Sequence, residues 1–283
     1  MFDEITITGF ADELAEGLDE QIEGFKNIGL SYIEIRGVSG KGITEYSLED
    51  VKRMKKQLDK NGMKISAIGS PIGKIQITDP FEPHFELFKH TVEIAKIMET
   101  PYIRMFSFYI PEGKEADLFA EEVVKRLECM IKYAEEKDIV LLHENEKGIY
   151  GDNACRCDML MEKFYGKNFR AVFDFANFVQ CGQDTWEAFQ MLEQYIEYIH
   201  VKDAMKKDRH VVPVGYGDGN VKKILSALKE KQYRGFLSLE PHLSEFTGFS
   251  EIENGEYAGK EKLNGREVFD IAYKALKDIL ISL

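Results

Sequence analysis

The chain has 283 residues, 44% of them apolar, and a formal net charge of −13. That balance repels nucleic acid and anionic membrane and gives no general help with a phosphorylated substrate, so a neutral sugar or polyol is the better match. With no apolar run of about 18 residues and an acidic start, MFDEITITGF, the sequence predicts neither a membrane span nor a signal peptide, and hence a cytosolic protein with no membrane partner.

In chain order, the first strand-like run is ITITGF. It is followed by Gly9-Phe10-Ala11-Asp12-Glu13 rather than a glycine-rich phosphate turn, which argues against a dinucleotide-binding open sheet. A helix is predicted over Leu18 to Ile28, with Leu18, Ile22 and Phe25 on one face and Gly29 as its cap. Strand-like runs then recur at SYIEIRG, KISAIGS, YIRMFSF, IVLLHEN, RAVFDFA, YIHVKD and GFLSLEP. Amphipathic stretches separate them, near 47–61, 82–98, 116–136, 157–164, 185–194 and 220–231, and a last one runs over 265–282. Alternating strands and helices imply βαβ units, and eight of them at this length imply a closed, single-domain (β/α)8 TIM barrel over residues 1–283. The stretch from Leu243 to Asn264 is the exception, a long loop after the eighth strand in which Phe246, Phe249 and Tyr257 are expected to cover a ligand or to form a subunit contact. Cys129, Cys155, Cys157 and Cys181 lack zinc-finger spacing and read as reduced thiols.

Four of the runs carry a metal-type side chain near their end: Glu144, Asp174, His200 and Glu240. Strand alternation gives each one apolar neighbours on the opposite face, such as Phe173 and Phe175 about Asp174, so the polar group points into the barrel. Buried carboxylates need a charge partner, and three carboxylates with one imidazole suit Mn2+, Mg2+, Co2+ or Zn2+. Barrel active sites lie at the C-terminal strand ends, where all four fall.

The order and spacing of these motifs resemble the xylose-isomerase-like barrel superfamily of sugar isomerases and epimerases. The matching segments are H-E-N at 143–145, F-D-x-x-N at 173–177, H-V-K-D at 200–203 followed by V-P-V-G-Y-G-D-G, and L-E-P-H at 239–242. The resemblance implies that Glu144, Asp174, His200 and Glu240 ligate one divalent ion, usually manganese, and that Glu144 and Glu240 also move protons. It implies an isomerase or epimerase working through an enediolate on a small keto-sugar or inositol derivative, in a homo-oligomer. The same scaffold also supports a lyase, such as an inosose dehydratase or a C-glycoside deglycosidase acting on 3-oxo-sugars. Two positions depart from the ketose epimerases of the superfamily: Asn177 stands where many have a substrate-binding His, and Lys206 where several have an Arg. Neither replacement is equivalent, since Asn cannot act as an acid and Lys is a point charge rather than a planar fork.

Further candidates are weaker. His143 faces away from Glu144 on strict alternation, as a support for the ligands; if the strand ends before it, it is a general base, and it stands among the catalytic candidates on that account. Lys202 shares the face of His200 and is a substrate-binding candidate with an ion pair to Asp203 or Glu240 as its plainer role. Arg104 points into the barrel mouth toward a carboxylate or the substrate. Glu34 and Arg36 share a face and pair with each other or reach the pocket. His242 is a pocket candidate, as is His210. His84 and His90 read as surface helix residues, and Gly215, Gly217 and Gly219 as turn residues rather than a phosphate cradle, because Asp218 would repel an anion.

Overall fold

The computed structural model describes residues 5–243 and 263–283. The expected cover residues Phe246, Phe249 and Tyr257 lie outside the described residues.

Eight parallel strands form one sheet: β1 (Thr6–Gly9), β2 (Tyr32–Ile35), β3 (Lys64–Gly69), β4 (Tyr102–Met105), β5 (Val140–Glu144), β6 (Phe169–Asp174), β7 (Ile196–Val201) and β8 (Phe236–Leu239). Their order is β1-β8-β7-β6-β5-β4-β3-β2, and a parallel bridge between Phe10 and Glu34 joins the two ends. The result is the expected (β/α)8 barrel. Around it lie α1 (Leu18–Ile28), α2 (Leu48–Lys60), α3 (Phe81–Met98), α4 (Ala120–Glu135), α5 (Ala154–Phe164), α6 (Phe175–Gln180), α7 (Thr185–Leu192), α8 (Val221–Glu230) and α9 (Gly265–Ser282). No described helix is long and apolar enough to cross a membrane.

Local chemistry explains the helix limits. Gly29 closes α1 at φ 84°, a left-handed conformation open to glycine, while Ser47 opens α2 by accepting the Asp50 N–H. The stretch predicted over 116–136 begins as a 3-10 turn, Ala116–Phe119, before α4 proper. The sequence reading missed α6 because RAVFDFA looks like uninterrupted strand. Asp174 ends β6 and at once caps α6, its Oδ1 accepting the Asn177 N–H at 2.7 Å.

Two apolar regions hold the barrel together. Between strands and helices runs the large core, with Phe25, Phe88, Leu141, Phe173, Ile199 and Phe269 among its buried members. Inside the barrel is a small cluster of Ala67, Leu142, Val172 and Tyr198, closed below by Tyr32, Tyr102 and Phe236. Each fully buried large side chain contributes about 1.5–3 kcal/mol of transfer free energy. Because residues two apart share a face, Leu142 in the interior cluster places Glu144 inside and above it, and Val172 does the same for Asp174.

Candidate metal centre

Glu144, Asp174, His200 and Glu240 are all buried and each offers one donor atom within 4.8 Å of the others. They come from adjacent strand ends: β6 pairs with β7 so that Asp174 lies opposite His200, and β7 with β8 so that His200 lies opposite Ser238, two residues before Glu240. His200 Nδ1 is 3.0 Å from Glu144 Oε1 and 3.7 Å from Glu240 Oε2, yet it has no aligned hydrogen-bond partner. Asp174 Oδ2 is in the same state, 3.1 Å from Lys202 Nζ but unpartnered by a hydrogen bond. Two buried ligand atoms without hydrogen bonds within a carboxylate cluster fit a cation, since such groups are otherwise costly to bury.

The charge balance fits as well. At the barrel mouth Glu34, Glu144, Asp174 and Glu240 are buried beside two buried cations among the described residues, Arg104 and Lys202. Carboxylates outnumber the lysine and arginine cations there even with Arg36, which reaches Glu240 from the rim, so a divalent ion would add favourable charge. The four groups are shifted in different directions. Burial pushes Asp174 up to about 7 against the pull of Lys202. Burial opposes a charged His200, but Glu144 and Glu34 outweigh it and hold its pKa well above the usual value. Burial also works against the Glu144 carboxylate, and His200 with Arg104 overcomes it, bringing the group down to about 2. Glu240 is likewise held low, its burial outweighed by Lys202 first and then His242, His200 and Arg36.

The other candidates divide sharply. Lys202 is buried and bridges Asp174 and Glu240, at 3.1 and 2.9 Å. Arg104 Nη1 donates to Glu144 Oε2 at 2.9 Å, with its guanidinium over the Phe106 ring. Asn177 Nδ2 donates to Glu144 Oε1 at 3.2 Å. His242 Nε2 lies 3.0 Å from Glu13 and 3.4 Å from Glu240. Glu34 and Arg36 do not pair with each other: Glu34 goes to His200, with both carboxylate oxygens 3.2 Å from Nε2, and Arg36 to Asp12, Glu13 and Glu240. The sequence reading missed Glu13, whose only trace is the acidic pair Asp12-Glu13 directly after the first strand.

His143 and Lys206 are not brought to the cluster. His143 pairs in register with Met105 and Ala171 and faces the helix layer, where its Nε2 has no partner and its ring lies 6.0 Å from Phe169. Burial pushes it down to about 4, and its place on the helix-facing side of β5, not its protonation state, takes it out of the cluster. Lys206 is exposed because β7 gives way to a short antiparallel pair, Asp203–Ala204 with Val211–Val212, and Lys206 sits in the connection between them. His84 is a further correction. It is buried on α3, its Nε2 accepting the Gly73 N–H at 2.7 Å, and His90 is half-buried against the Tyr46 carbonyl. Asp203 fills the glycine loop from within, accepting N–H groups of Gly215, Gly217 and Gly219 at 2.9–3.1 Å.

Above the cluster opens a cavity of about 620 Å3, lined in part by Glu13, Arg36, Asn177, Lys202, His242 and Val268. It lies at the C-terminal end of the strands, and its size suits a small ligand.

A comparison with curated protein sequences finds no match. Among solved structures, the probable 3-DHS dehydratase AsbF of Bacillus anthracis aligns over 96% of this chain and 99% of its own, with TM-score 0.75 and 17% identity. The IOLI protein, solved with a bound zinc atom, aligns over 98% of this chain and 99% of its own, with TM-score 0.74 and 18% identity. D-allulose 3-epimerase from Methylomonas sp. aligns over 98% and 97%, with TM-score 0.74 and 17% identity. At these identities the likeness is one of fold. The sequence profile of the xylose isomerase-like TIM barrel family matches residues 22–263, and the chain belongs to that family.

Proposed function

We propose that the protein is a divalent-metal-dependent sugar isomerase or epimerase that acts through an enediolate on a small keto-sugar or inositol derivative. The observation that carries this reading is the convergence of Glu144, Asp174, His200 and Glu240, with orphaned donors, beneath a cavity of sugar size. These four would hold one ion, manganese by family resemblance with zinc, magnesium or cobalt also suited, and the ion would polarise a substrate carbonyl and acidify the adjacent C–H.

The chain's own groups supply the proton chemistry. Glu240, kept ionised by Lys202 and Arg36, would remove the proton and keep it, while Glu144, held by Arg104, would have to enter the step protonated from solvent and deliver its own proton to the carbon. Return to the opposite face of the same carbon gives the epimer, and return to the neighbouring carbon gives aldose–ketose isomerisation. Lys202 and Asn177 line the cavity and bind sugar oxygens. The structural likeness to an epimerase and to a zinc-binding protein supports this assignment. By family resemblance we assign the protein a homo-oligomeric state.

A second reading, a lyase on the same scaffold, draws on the likeness to the 3-DHS dehydratase. It shares the first proton removal and differs in expelling a β-hydroxyl afterwards. One experiment separates the readings: elemental analysis of the purified protein, then incubation in D2O with ketoses, inososes and 3-oxo-glucosides, for wild type and Glu240→Gln. Metal-dependent C–H exchange without loss of water, absent from the variant, supports the isomerase or epimerase. Loss of water supports the lyase, and a protein that binds no divalent metal sinks both.

A further inference from the structure

We propose that Glu34 is a positioning residue for the metal centre: its carboxylate accepts a hydrogen bond from the Nε2–H of His200 and so turns Nδ1, as the ligand atom, toward Glu144, Asp174 and Glu240. The proposal rests on the metal reading above and adds to the ligand set the residue that orients it.

An imidazole that coordinates a metal through one nitrogen keeps its proton on the other, and the partner of that second nitrogen decides which one coordinates. Both Glu34 oxygens stand 3.2 Å from Nε2, an arrangement in which the carboxylate oxygens accept and Nε2 donates. Nδ1 points the other way, into the carboxylate cluster, without a hydrogen-bond partner. The ring plane is fixed by edge-on contacts with Phe10 and Tyr198, at centroid distances of 5.1 and 5.8 Å.

Glu34 is itself held. Ser238 Oγ donates to its Oε2 at 2.5 Å, and the residue is fully buried. A register shift between Ile33 and Glu34 re-aims the end of β2, and Glu34 is also the residue that bridges to Phe10 where the barrel closes. The strand pairing that completes the barrel therefore also places the carboxylate under His200.

The test uses full-length protein with zinc as the probe. Ring-15N-histidine labelling of the zinc-loaded wild type, with His200 assigned by the His200→Gln variant, reports which nitrogen carries the proton. Calorimetric zinc titration of wild type, Glu34→Gln and Ser238→Ala reports affinity. The expected results are a proton on Nε2 of His200 and a metal-shifted Nδ1, with zinc affinity down by about 10- to 100-fold in Glu34→Gln and by less in Ser238→Ala. A proton on Nδ1, or unchanged affinity in folded Glu34→Gln, overturns the proposal. If Glu34→Gln does not fold, the wild-type spectrum decides by itself. A wild type that binds no zinc is a different failure: it removes the metal reading and the Glu34 assignment with it.

Discussion

The two halves of the barrel interior are built on opposite terms. The lower half is neutral: Ala67, Leu142, Val172 and Tyr198 pack together, and the hydroxyls of Thr8, Ser66 and Tyr198 satisfy one another at 2.9–3.1 Å. The upper half buries Glu34, Arg104, Glu144, Asp174, His200, Lys202 and Glu240 within one network and still leaves Asp174 Oδ2 and His200 Nδ1 without hydrogen bonds. Unsatisfied buried polar groups are destabilising by about 1–3 kcal/mol each, so the upper half is kept for what it binds and the lower half for what it holds together.

That contrast can be broken from either side. The largest effect belongs to Glu240→Gln, expected to lower C–H exchange by at least about 10^2-fold, with the far-UV spectrum unchanged. From below, Leu142→Ala should lower unfolding free energy by about 2–5 kcal/mol in urea melts while the folded protein titrates with metal as the wild type does. Coupled loss of stability and metal affinity would show that the halves are not separable.

Asp174→Asn sharpens the contrast in the opposite direction. It removes one buried negative charge from a crowded cluster, so the metal-free variant should melt no lower than wild type at pH 8 while losing metal binding in calorimetry. A lower melting point would contradict the account of the cluster as overcharged.

Outside both halves, His84 gives a pH marker. Burial, and then the nearby Arg126, hold it down at about 4 against an ordinary 6.5, so the folded state favours the neutral ring. Its contribution is present above pH 6.5 and is lost as pH falls toward 4, because the unfolded chain takes up the proton first. His84→Gln should flatten the stability–pH slope in that window; an unchanged slope would exclude His84 as its source. The smallest effect is expected of Lys206→Ala, which should leave kcat/KM within about two-fold, since its side chain is exposed beyond the site.

Much of this was legible in the sequence because strand alternation ties a polar residue to its apolar neighbours. Glu144 above Leu142 and Asp174 above Val172 follow from that rule alone, and α1 was bounded by its own glycine. That Glu34 and Arg36 could reach the pocket was legible from their shared face, but which partners they meet there was set by contacts between distant segments. Glu34 meets His200 across 166 positions, and Arg36 meets Glu240 across 204, which no local pattern announces. His84 looked like a surface residue because helical periodicity does not show that the loop carrying Gly73 folds over it. Lys206 was carried across from a family pattern, and the short antiparallel pair after β7 takes it elsewhere.

Asp174 gives its two oxygens separate tasks: Oδ1 starts α6 through the Asn177 N–H, and Oδ2 faces the cluster. The donor is thus preorganised by a helix, and no rotamer entropy need be lost when a cation arrives. It also makes the position intolerant of its own chemical homologue. A glutamate would offer the same carboxylate on a longer arm, but it could not reach the cluster and cap the helix at once. Since the Asn177 side chain rides on that first turn, Asp174→Glu would disturb both a donor and the wall of the cavity in a single methylene.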